Sequence, residues 1–190
     1  FYFRPQNNVV LEAGSRYKYT VKVNTTGLTL EGCTIGSWAD GGGESGAAED
    51  LGYIYDNTTN TYTVSNANGL LVWAEAAQND LTIGCTLTAD IDLTGKEWTQ
   101  IGSSLGEGYQ GTFDGQGHRI TGLAITTDNP SGESAALFGD IGGNGEVKNL
   151  QLVDVDYDVK QGGASGGIAN SNYGTIPACS VTGTIAAASG

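Results

Sequence analysis

Asp154, Asp156 and Asp158 alternate with Val153, Val155, Tyr157 and Val159, a dense run of oxygen ligands. Three carboxylates so close invite a calcium reading. A calcium loop, however, wraps its ligands round one ion and needs a Gly turn and a bidentate acid. A straight strand holds alternate side chains about 6.6–6.8 Å apart, too far for shared coordination. The run therefore reads as the solvated face of a strand whose apolar residues point inward. His118, the only histidine, lies in the turn-forming stretch Asp114-Gly115-Gln116-Gly117-His118. One histidine cannot build an H-E-x-x-H zinc site, and no G-x-S-x-G elbow accompanies it. It reads as a corner residue that hydrogen-bonds the backbone. Aromatic rings beside Gly-rich turns can stack on sugars, and Trp98, Tyr109 and Tyr173 have such neighbours. Trp98 reads equally well as core or corner packing. Tyr109 is the candidate ligand-binding residue. No catalytic set, metal set or cofactor is expected.

The elements that must position these residues are mostly short strands. Tyr17, Tyr19, Val21 and Val23 share one face of an alternating segment, with Lys18, Thr20, Lys22 and Asn24 on the other. A turn at Asn24–Gly27 leads to Leu28, Leu30, Ile35 and Trp38. Asn7–Leu11 is a further candidate strand, with a turn at Ala13-Gly14-Ser15. Residues 1–43 thus read as an antiparallel β segment and residues 44–60 as a small, acidic linker. Tyr53–Tyr55 and Thr61–Val64 are strand candidates flanking the turn Asp56–Asn60. A helix is predicted near 66–79, capped by Ser65 or Asn66. Its apolar stripe is Leu70, Trp73, Ala74 and Ala77. Standing ahead of a repeat array, it reads as the array's cap.

The array occupies residues 61–190. Ile91-Asp92-Leu93, Leu123-Ala124-Ile125, Leu150-Gln151-Leu152 and Cys179-Ser180-Val181 share one apolar-variable-apolar pattern, at steps of 32, 27 and 29 residues. Phe113, Leu137 and Ile168 form a second series, and Ile120, Val147 and Ile176 a third. A period near 30 in a Gly-rich, helix-poor sequence predicts a parallel β-helix, all-β apart from the capping helix. Leu123, Leu150 and Cys179 are expected to lie in one inward file below Ile91, beside a file of Leu93, Ile125, Leu152 and Val181. On that register Asp90 and Asp92 gain no acidic neighbour on the next coil. The stacked carboxylates of a polysaccharide-cleaving site are therefore not predicted on this face.

Composition narrows the partners. With 21 acidic and 8 basic residues the net charge is −13, and no basic cluster exists to neutralise a nucleic acid backbone. Charged residues make up only 15%, so polarity comes from Thr, Ser, Asn and Gly. Cys33, Cys85 and Cys179 are odd in number and widely spaced, which argues against a disulfide framework. They read as small buried apolar residues. No run is long enough to span a membrane and no signal peptide is visible. The chain reads as an excerpt of a longer protein.

Several segments resemble a known family. These are Ala89-Asp90-Ile91-Asp92-Leu93, Trp98-Thr99-Gln100-Ile101-Gly102, Gly111-Thr112-Phe113-Asp114-Gly115-Gln116-Gly117-His118 and Ile120-Thr121-Gly122-Leu123. Together they resemble the opening of GLUG-repeat proteins, and Gly145–Leu150 and Gly174–Val181 resemble the family's later repeats. Gly166-Gly167-Ile168-Ala169-Asn170 stands at the name-giving motif and departs from it in carrying Ile and Ala. Tyr17–Val23 followed by Thr26-Gly27-Leu28 is similar to the closing hairpin of fimbrillin-like β-sandwiches. These resemblances imply a short right-handed parallel β-helix on a bacterial surface protein. On that reading the chain is a non-catalytic adhesin or structural module, extracellular or at the cell surface. It would be anchored to the outer membrane through a region outside this chain. Its partners would be a host glycan or protein, or neighbouring domains of the same parent protein. The alternatives are a fragment of a carbohydrate-active β-helix enzyme and an accessory stalk of a secreted peptidase, each with its active site elsewhere.

Overall fold

The computed structural model describes residues 16–24, 27–36, 50–102, 108–128, 134–160 and 165–187. The chain divides into two compact units, Phe1–Gly52 and Tyr53–Gly190. In the first, strands β1 (Arg16–Asn24) and β2 (Gly27–Gly36) pair antiparallel, with an irregularity at Thr20/Val21. This is the hairpin the alternation predicts. Asn7–Leu11, Ala13–Ser15 and Trp38 lie outside the described residues.

The second unit is a parallel β-solenoid of about three turns with one helix. It opens with an antiparallel hairpin, β3 (Tyr53–Asp56) on β4 (Thr61–Val64). The hairpin joins the first sheet, so the segment from Tyr53 belongs to the solenoid unit. Helix α1 (Ala67–Asn79) follows. Asn66 is its N-cap, in extended conformation, with the side chain accepting from the Gly69 N–H. Gly69, Leu70, Trp73, Ala74 and Ala77 are its buried residues, which matches the predicted stripe.

Three parallel ladders follow, each visited once per coil. The first sheet orders β11-β7-β5-β4-β3, where β5 is Gly84–Leu87, β7 Thr112–Asp114 and β11 Glu146–Lys148. The second orders β14-β12-β8-β6, where β6 is Ile91–Asp92, β8 Arg119–Thr121, β12 Gln151–Val159 and β14 Ser180–Ala187. Strand β9 (Ala124–Thr127) pairs with the later part of β12. The third joins β10 (Phe138–Ile141) to β13 (Ala169–Asn172), extended by bridges from Ile101 and Tyr109 to β10. Between β4 and β5 the chain runs through α1 where later coils supply strands of the second and third sheets. The helix thereby closes the first end of the stack.

Stacking at strand spacing, about 4.8 Å, makes each ladder an apolar file. Tyr62, Cys85, Phe113 and Val147 form one, and Ile91, Ile120, Leu152 and Val181 a second. Ile125, Tyr157 and Ile185 form a third. Trp73 of the helix meets this interior edge-on, its ring centroid 5.0 Å from Phe113 and 6.0 Å from Tyr109. An interior shared by all coils is what lets units unable to fold alone cohere.

The predicted register is wrong in part. Leu150 and Leu152 stack on Cys179 and Val181, as expected, because Gln151 pairs with Ser180. Leu123 does not join that file. Ile120 lies on Leu152 and Ile91, while the Leu123 carbonyl accepts from the Asp156 N–H. The cause is corner length. Asp114 pairs with Lys148 and Arg119 with Gln151, so residues 115–118 turn the corner that residues 149–150 turn one coil later. The straight strand assumed for Asp154–Asp158 also bends. Asp154 has φ 55°, and the β12–β14 register shifts between Leu152 and Val155. Val153 is consequently only half-buried, while Val155, Tyr157 and Val159 face inward.

Candidate functional site

Asp80, Asp90, Asp92 and Asp114 hold turns and corners of the solenoid. Asp90 Oδ1 accepts from the Arg119 backbone N–H at 3.1 Å and lies 3.3 Å from His118 Nδ1. The Arg119 Nε donates to the other oxygen at 3.3 Å. The backbone bond from Arg119, with His118 and the Arg119 charge, holds this carboxyl below the usual range. His118 is therefore a corner residue, but its side chain meets a carboxylate of the preceding coil instead of the expected backbone group. Asp92 is lowered by Thr94, whose N–H it accepts at 2.8 Å; its ladder partner is Thr121. Neither aspartate has an acidic ladder neighbour. Among the described residues no group of three or more His, Cys, Asp or Glu could hold a metal ion.

Asp114 organises a second corner. Desolvation raises its pKa, but hydrogen bonds from Asn149 and Gln116 outweigh this and leave it lowered. Gln116, Asn149 and Ala178 occupy this corner on successive coils, all with φ of 52–54°. With Gln151 and Gly117 they line a shallow polar groove of about 400 Å³. Gln151 Nε2 donates to the Gly117 carbonyl across it.

The aromatic residues sort differently from expectation. Tyr109 is fully buried and donates its hydroxyl to the Ile83 carbonyl at 2.9 Å. Its ring packs against Trp73 and Phe138, with centroids 6.0 and 5.0 Å away, so it offers no face to a ligand. Burial pushes its phenol well up. The Gly residues beside it mark close backbone approach: a Cβ on Gly108 would meet the Gly142 N, and one on Gly111 the Ile83 carbonyl. Trp98 is half-buried against the core and donates to the Leu137 carbonyl, which is packing. Tyr173 is exposed. Cys85 is buried and Cys179 half-buried, and both are free thiols.

The rings that do cluster at the surface are Tyr53, Tyr55 and Tyr62 on the first hairpin. Tyr55 and Tyr62 are directly paired across β3–β4, their centroids 4.7 Å apart; Tyr53 lies 5.4 Å from Tyr62. Tyr53 and Tyr62 rest on the core, and Tyr55 is 43% exposed. The signal was present in the sequence as Tyr-x-Tyr, turn, Tyr. At the other end, Val181 and Ile185 are 36% and 44% exposed, although their file partners Leu152 and Tyr157 are fully buried. With Ile168 and Ile176 they border an open recess of about 400 Å³. No charged residue occurs from 161 to 190.

These features define a β-solenoid whose surface carries aromatic, amide and carboxylate groups. No protein-family model matches the chain. Over 97 residues, half of this chain and 11% of the relative, it is 39% identical to a "Putative Gly-rich membrane protein" of Evansella cellulosilytica. Over 179 residues, 94% of this chain and 2% of the relative, it is 27% identical to Halomucin of Haloquadratum walsbyi. The chain thus spans a small part of either relative. Among solved structures it resembles a "putative immunoglobulin A1 protease from Bacteroides ovatus", with TM-score 0.50 and 22% identity. That match covers 65% of this chain and 38% of the other and speaks for the fold alone. Among the described residues no helix is long and apolar enough to cross a membrane.

Proposed function

We propose that this chain is a non-catalytic module of a cell-surface protein, a stiff GLUG-type solenoid that presents its faces for glycan or protein binding. The carrying observation is the single apolar interior threaded by all three ladders and closed at its first end by α1. Such a stack transmits load along its axis and offers extended faces, because each coil is bonded to the next along whole strands. Asp90, Asp92 and Asp114 support the same reading, since they are spent on corners within and between coils. One relative is described as a membrane protein, which supports placement at the cell envelope. The fimbrillin-like hairpin of residues 16–36 fits a modular surface protein of this kind.

The test uses the full chain on a glycan and host-protein array, with and without calcium, alongside assays for polysaccharide and peptide cleavage. Reproducible capture without turnover is the expected result. Release of reducing ends or new peptide termini by the purified chain would overturn the non-catalytic reading in favour of the enzyme or peptidase alternatives. Silence across the whole array would remove the presenting role.

A further inference from the structure

We infer that the Tyr53, Tyr55 and Tyr62 face of the first hairpin is a binding subsite for a neutral pyranoside; this rests on the glycan-presenting reading above and names its ligand class. The rings share one face because Tyr55 pairs directly with Tyr62 and Tyr53 stands two residues along the same strand. With centroids 5.4 and 4.7 Å apart and tilts of 39° and 36°, Tyr53 and Tyr55 both lean on Tyr62, so the open apolar surface of the cluster is that of Tyr55, 43% exposed. Tyr53 and Tyr62 are seated on the core, and antiparallel pairing fixes the backbone beneath them. Ring positions are therefore set before any ligand arrives, which reduces the ordering cost of binding.

The rim supplies the polar half of a sugar site. Tyr55 donates its hydroxyl to Asn60 Oδ1 at 2.9 Å, and Asn60 Nδ2 donates to Asp80 Oδ2 at 3.0 Å. An apolar ring face bordered by an oriented hydroxyl, amide and carboxylate matches a pyranose, with its C–H face and equatorial hydroxyls. Charge selects among pyranosides. Hydrogen bonds from Thr82 and Asn60 hold the rim carboxylate Asp80 below the usual range. Asp80 is thus ionised at neutral pH at the rim, in a chain of net charge −13. A uronate or sialylated sugar would meet like charge there. A neutral one would not.

The experiment is calorimetric titration of the full chain with neutral gluco-, manno- and galactopyranose hexasaccharides, and with a hexauronate. At least one neutral series binds. Tyr55→Phe, which keeps the ring but removes the rim hydroxyl, weakens that affinity by about threefold, whereas Tyr55→Ala weakens it by about tenfold. Ile54→Ala, on the opposite strand face and 67% exposed, leaves binding unchanged, and the hexauronate gives no binding heat. Circular dichroism melts establish that each variant is folded. The assignment falls if no neutral oligosaccharide binds, if Tyr55→Ala binds like the parent, or if the uronate binds equally. Array capture that is equal for the parent and Tyr55→Ala sinks this subsite and leaves the presenting module standing. Cleavage of the bound sugar sinks the module reading whatever Tyr55→Ala does.

Discussion

Replacing Ala178 by glycine should stabilise the solenoid, and replacing Asn149 by glycine at the same corner should not. Both residues hold left-handed backbone, φ 54° and 52°, and Asn149 precedes by one coil, since Gln151 pairs with Ser180. An alanine in this region costs about 1–2 kcal/mol in steric strain. Glycine removes that strain but loses about 0.5–1 kcal/mol through greater unfolded-state freedom. Ala178 is exposed, so no packing is lost, and the net gain is about 0.5–1 kcal/mol. Asparagine tolerates the left-handed region better than alanine, so Asn149→Gly recovers less strain. It also deletes the 3.0 Å bond from Asn149 Nδ2 to the Asp114 carboxylate, worth about 1.5 kcal/mol for a charged acceptor. The balance there is a loss of about 1 kcal/mol. Urea unfolding at pH 7, followed by tryptophan fluorescence, reads both changes as shifts of midpoint at constant slope. A lower midpoint for Ala178→Gly, or shifts of the same sign for the two variants, would refute the assignment of strain to this corner.

Three further outcomes follow from the same coordinates. Phe113→Ala should cost about 3–5 kcal/mol in the same urea assay, because its ring is fully buried against Trp73 and Phe138; a loss below 1 kcal/mol would contradict the single interior. Leu152→Ala should cost about 2–5 kcal/mol, while Val181→Ala, its half-exposed file partner, should cost well under about 1 kcal/mol; equal losses would mean that the last coil is covered. Asp90, Asp92 and Asp114 have folded pKa values below their unfolded ones, so their stabilisation is complete above the unfolded value, about pH 4. It should fade as pH drops through the folded values, and melting temperatures that stay flat from pH 5 to pH 2 would exclude this linkage.

The acid-sensitive corners also show how far the residue order could be read. The repeat pattern set Ala124 over Asp92, whereas the ladder sets Thr121 there. What Asp90 meets was not legible, because Arg119 and His118 reach Asp90 only once β6 and β8 lie side by side. Tyr109 marks the opposite failure. Glycines beside an aromatic residue signal a turn in sequence, yet here they let neighbouring coil backbone pass against the ring.

Local order alone determined the helix, since Asn66 and the stripe Leu70, Trp73, Ala74 and Ala77 lie within one segment and need no partner to be recognised. It also determined that a repeat near thirty residues exists, because apolar pairs recur whatever their register. Only the tertiary structure decided which coil residue lies over which. Corners of four and two residues carry no apolar signal of their length, and a ladder's register is fixed by hydrogen bonds between segments far apart in the chain. That register, in turn, buried Tyr109.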